Sequence, residues 1–252
     1  MSIVLAGLAG IFAIVSGIND GGALLGTGLK LPSIRPVVGL LVLMAAVATV
    51  PLTTYQVAVT FTTRLAALEG PAGRPAMAVA VVCALAVVVV LSRRGRPTSL
   101  TLAVVGGVTG AGLGWGLPVS VGGVVFVLAA GIAAPFAGGV MALLAGLLLA
   151  RLSGGHALPY WHRVGFALQC LAYAANDGQK MLAVFMVALG FSGAPPQICV
   201  LIAVLFGLGT LYGLPRAGRT FSRELLAARP LHAVSAELGS GLAVLGCAAA
   251  GA

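Results

Sequence analysis

SIVLAGLAGIFAIVSGINDGGALLGTG, residues 2–28, begins as an unbroken apolar stretch and then places Asn-Asp-Gly where hydrocarbon would be expected. As a helix the stretch is long enough to cross about 30 Å of bilayer core. Further apolar runs follow at roughly 36–62, 75–92, 119–151, 159–192, 195–215 and 231–251. The chain is 60% hydrophobic and 8% charged, too little polar surface for a water-soluble globule of 252 residues. The runs lack the period-two alternation of a barrel, and 37 Gly and 13 Pro are scattered through them. The reading is an all-α integral membrane protein, a bundle of closely packed, partly broken helices with a re-entrant hairpin.

The net charge of +9, from 14 basic and 5 acidic residues, is confined largely to short loops. That pattern orients membrane helices and excludes a nucleic-acid-binding face. The N-terminus lacks a basic leader and a small-residue cleavage site, so it reads as a retained helix. Cys83, Cys170, Cys199 and Cys247 sit unpaired in apolar runs and suggest neither zinc nor disulfides.

The Asn-Asp-Gly step returns. SGINDGGALLGTG (16–28) is echoed by YAANDGQKMLAVF (173–185), an offset of 157 from Asp20 to Asp177. The same offset pairs Leu25 with Leu182, Thr53 with Thr210 and Tyr55 with Tyr212. Two related halves in one membrane chain are the mark of a secondary transporter with its site at their interface. With the second half inverted, the loops 29–36, 92–97, 151–163 and 215–230 share one side. They hold eleven basic residues, among them Lys30, Arg94 and Arg96, against Arg64 and Arg74 on the other. The expected division is a first repeat over 1–118 that includes a re-entrant hairpin near 97–118, a connecting region over 119–158, and a second, truncated repeat over 159–252.

Chemistry is expected at the repeated step. A carboxylate within the bilayer must be paired or line a wet cavity. Asn and Asp compete for backbone hydrogen bonds, and Gly21, Gly22 and Gly178 relax the turn, so the helix is expected to open there and offer free groups to ions. A second candidate is RPTSLTLAVVGG (96–107), where Pro97 opens a helix whose first turn carries the hydroxyls of Thr98, Ser99 and Thr101, groups suited to an oxyanion. Glu237 either faces the cavity or pairs with an arginine. Lys180 neutralises Asp177, attracts an anion, or extends to the interface. Gln56, Gln169 and Gln179 could line the pathway, while His156, His162 and His232 read as ordinary loop or interface residues. No His-Glu-x-x-His or Ser-His arrangement points to an enzyme.

With these residues assembled, the chain resembles the Pit-type inorganic phosphate transporters, sodium- or proton-coupled permeases. GINDGG (17–22) and AANDGQK (174–180) are similar to the family's two Asn-Asp motifs, PTSLTL (97–102) to its hairpin motif, and SAEL (235–238) to a further segment. The resemblance implies cations at Asn19, Asp20, Asn176 and Asp177, with sodium at Asp20 and Asp177, and phosphate at Thr98, Ser99 and Thr101, supported by Gln179, Lys180 and Glu237. Leu102 and Leu100 replace the family's histidine and serine. Thr98 and Ser99 shifted by 157 fall past residue 252, so a second hairpin is expected to be missing.

Two intramembrane carboxylates repel phosphate unless cations neutralise them first, so the resemblance and the electrostatics together imply coupled symport at the plasma membrane. No cofactor is implied beyond a sodium ion or proton, and the partners are inorganic phosphate and lipid. The competing reading is a non-transporting or partner-dependent membrane subunit, its site completed by a second polypeptide or another copy of the chain.

Overall fold

Prolines and glycines set where the apolar runs begin and end as helices. The computed structural model describes residues 2–29, 31–68, 70–93, 98–152, 155–224 and 229–252, with backbone alone at 92–93, 152, 155 and 216–224. Lys30, Arg94, Arg96 and Pro97 lie outside the described residues. The helices are α1 (Ser2–Ser16), α2 (Gly22–Gly28), α3 (Pro36–Thr53), α4 (Gln56–Val59), α5 (Gly73–Arg93), α6 (Leu100–Gly114), α7 (Val121–Leu152), α8 (Leu158–Tyr173), α9 (Gln179–Leu189), α10 (Pro196–Glu224) and α11 (Pro230–Ala249). Three of them start on proline, whose fixed φ and missing N–H are harmless in a first turn. Gly190, at φ 73°, ends α9 in the left-handed conformation.

Among the described residues, six stretches are long and apolar enough to cross a membrane: Ser2–Gly28, Pro36–Thr53, Gly73–Leu91, Val121–Arg151, Pro196–Pro215 and Pro230–Ala249. Among the described residues there is no strand, only an isolated bridge between Ala66 and Val119. This is an all-α, multi-pass membrane protein. Its outward surface is apolar, as at Ile132, Phe136 and Leu143 of α7, which suits a chain solvated by lipid.

Both Asn-Asp-Gly motifs lie in π-turns, at Gly17–Gly21 between α1 and α2 and at Ala174–Gly178 between α8 and α9. The expected opening of the helix is therefore milder than a break. Ser16 and Gly22 keep right-handed helical dihedrals, and the Gly22 N–H donates to Gly17 O five residues back, so the ladder widens instead of being cut. In lipid this is the cheaper solution, because the backbone groups stay bonded within the helix.

Element boundaries recur at the same offset as the motifs. The π-turn of the second motif starts at 174 against 17 for that of the first, and α11 starts at 230 against 73 for α5, a spacing of 157 in each case. Packing is reciprocal as well. α10 lies against the first π-turn and α2, while α3 lies against the second π-turn and α8. The α10 crossing is very close: a Cβ at Gly17 would sit 2.1 Å from Phe206 O, and one at Gly209 would sit 2.0 Å from Ile14 O.

The segment anticipated as a hairpin near 97–118 is a single short helix, α6, and its hairpin partner is α5. The two pack along their lengths, with Gly107 against the Ala80 backbone. At 15 residues α6 reaches about 22 Å, short of the hydrocarbon thickness. Its first turn ends against the second motif.

Candidate functional site

Lys180 organises the second motif. It follows Asn176 and Asp177 by four and three residues, so one helical face presents all three side chains together. The side chain is 1% exposed, and a buried ammonium must find acceptors. It donates to Asn176 Oδ1, to Asp177 Oδ1 at 2.8 Å and to Thr101 Oγ1 from α6, with the Phe61 ring centroid 5.8 Å away. Asn176 is held in turn by donation from Nδ2 to Ala252 O at 3.0 Å.

The first motif arrives from the other half of the chain. Asn19 Nδ2 donates to Asp20 Oδ1 at 2.7 Å, and Asp20 lies within electrostatic reach of both Asp177 and Lys180. Carboxylates 157 residues apart thus share one neighbourhood with one ammonium.

Tyr173, which the sequence reading passed over, lies within reach of both aspartates and stacks on Phe206 at 5.1 Å. Its hydroxyl is buried without a hydrogen-bond partner among the described residues, as are Thr98 Oγ1 and Gln179 Nε2. Buried polar atoms are nearly always bonded, so orphaned groups near charged ones mark a place for a polar ligand. Gln179 is held by its other end, where Oε1 accepts from Val57 N at 2.8 Å and Ala58 N at 3.4 Å.

The three hydroxyls of the Thr98–Thr101 segment are not equivalent. Ser99 Oγ accepts from Leu102 N at 3.3 Å and caps α6, Thr101 is taken by Lys180, and Thr98 Oγ1 has no hydrogen-bond partner among the described residues. Among the described residues, Glu237 pairs with a histidine and not with an arginine. Its Oε2 meets His162 Nδ1 at 2.8 Å, while His162 Nε2 meets Gly28 O at 2.9 Å. His162, read from sequence as an ordinary interface residue, is completely buried and ties α2, α8 and α11 together. No local spacing betrays this, since its partners lie 75 and 134 residues away. Gln169 belongs to the same region, donating to Glu237 O at 2.7 Å, and Gln56 accepts from Arg64 at 3.4 Å.

A cavity of about 810 Å³ opens at the far end of α9 from Lys180. It is lined by Tyr55, Thr62, Thr63, Arg74, Met186 and Phe191 among others, and none of the motif side chains contributes. It brings a cationic side chain, Arg74, to one end of the helix that carries the second motif.

Fold and site together define a multi-pass helical membrane protein with charged motifs from two separate helices gathered inside it. No family model matches the chain, and no curated protein matches it. Among solved structures it is similar to one described as the sodium-dependent phosphate transporter, with a TM-score of 0.81, 14% identity, and coverage of 98% of this chain and 84% of that one. At this identity the likeness is one of fold.

Proposed function

We propose that the chain is a secondary transporter that carries inorganic phosphate across the plasma membrane together with a coupling cation, sodium or a proton. The observation that carries this reading is the approach of Asp20 and Asp177, from separate helices, to a shared half-buried position beside the buried Lys180. The fold likeness to a sodium-dependent phosphate transporter supports phosphate as cargo and sodium as the coupling ion. In this reading Asn19, Asp20, Asn176 and Asp177 together form the cation site. Thr98, with Ser99 and Thr101 beside it, receives the oxyanion, and the unpaired Tyr173 hydroxyl and Gln179 amide are further donors.

Electrostatics then orders the events. With both carboxylates charged, an entering phosphate meets repulsion in a medium that screens little. A cation that binds first removes it, so the two are carried together. The recurring elements are read as inverted repeats over 1–118 and 159–252, rocking about the site so that it faces each side in turn.

Uptake of radiolabelled phosphate into liposomes containing only this chain tests the proposal. Uptake driven by an inward sodium or proton gradient, and lost in both Asp20→Asn and Asp177→Asn, is the expected result. Well-folded protein that moves no phosphate under either gradient ends it.

A further inference from the structure

The two motifs are not equivalent, and the difference is one side chain. Shifting Lys180 by the repeat offset of 157 lands on Ala23, so the first half has no counterpart to the ammonium. We infer that Lys180 serves as a built-in cation at the second motif, occupying the oxygens of Asn176, Asp177 and Thr101, so that one exogenous monovalent cation, and not two, completes the site.

The ligands around Nζ are the kind that a sodium ion takes: an amide oxygen, a carboxylate oxygen and a hydroxyl oxygen, with an aromatic face on another side. Asp20 and Asp177 contribute two negative charges and Lys180 one positive, leaving a single net negative charge in the cluster. One cation therefore neutralises the site before an anion arrives. Asp20, whose carboxylate accepts its hydrogen bond from the neutral Asn19 amide, is where that ion goes. The lysine also gives the site an order, since the chain itself satisfies the second motif while the first depends on ions from solution. This inference rests on the transport reading for its purpose and not for its count.

The test counts cations, with binding read apart from transport. Purified chain is titrated with radiolabelled sodium in the absence of phosphate, and a pH indicator counts protons in a parallel arm. The wild type is expected to bind about one cation and Lys180→Met about two, because the variant returns Asp177 to solution ions, whereas Lys180→Arg keeps the count at about one. In reconstituted chain the cation-to-phosphate ratio rises by the same increment in Lys180→Met. A wild type that binds two, or a monodisperse Lys180→Met with the wild-type count, overturns the inference. Should Lys180→Met fail to fold, a wild-type count of one that falls to none in Asp20→Asn supports it, and two overturns it. Protein that binds cations as expected but moves no phosphate keeps the inference and ends the transport reading.

Discussion

A carboxylate inside a membrane span must be answered by something, and the half-buried acids of this chain are answered in three ways. Asp177 has Lys180, Glu237 has His162, and Asp20 has the Asn19 amide with Lys180 within electrostatic reach. Removing the charge of Asp20 or Asp177 while keeping its shape should cut gradient-driven phosphate uptake roughly a hundredfold, equivalent to about 3 kcal/mol of lost binding and coupling. Liposome uptake measures it. Thr98→Ala should weaken apparent phosphate affinity about tenfold and leave cation binding alone, whereas Ser99→Ala should chiefly loosen the α6 start, by about 1 kcal/mol. A titration of uptake against phosphate, set beside thermal unfolding, separates the two. The His162–Glu237 pair gives a structural contrast. Glu237→Leu leaves a buried imidazole without its carboxylate and should lower stability by about 3–5 kcal/mol, while the double variant with His162→Leu should recover part of it. Unfolding midpoints in detergent decide, and a double variant worse than the single would contradict the role given to the pair.

At the scale of elements, the motif helices are held by glycine and not by large side chains. The first π-turn rests on α10 at Gly17 and Gly209, where backbones approach too closely for any Cβ. Gly209→Ala should cost about 3 kcal/mol or displace α10, and so lower the melting temperature of the purified chain more than Gly106→Ala on α6, where a methyl would meet open space. Equal melting shifts would show that the close crossing does not matter. The tilt and spacing of α10 matter because Phe206, on the same helix, supports the Tyr173 ring beside the aspartates. Helix identity was legible in the apolar runs. The π-turns were not: the sequence marks poor helix formers at Asn19-Asp20 and Asn176-Asp177, but whether a helix widens or breaks there depends on the neighbours that close around it.

Across the whole molecule, α3 braces the second motif and α10 the first, so neither motif is supported by its own half alone. If the halves rock, Thr98 should exchange its exposure between the two sides. Thr98→Cys in a background lacking the four native cysteines should react with impermeant thiol reagents from either side, and saturating phosphate should slow labelling several-fold. Labelling from one side only under all gradients would contradict the motion. By itself, the sequence determined the solvent, the helices and the places where charge enters the bilayer, because hydropathy and intramembrane acids are local properties of the chain. The tertiary structure decided which charges meet. Lys180 finds Thr101, His162 finds Glu237 and the Gly28 carbonyl, and Asp20 comes within reach of Asp177, all between groups 75 residues or more apart. Such pairings follow from the approach of helices at glycine crossings, which no local pattern encodes.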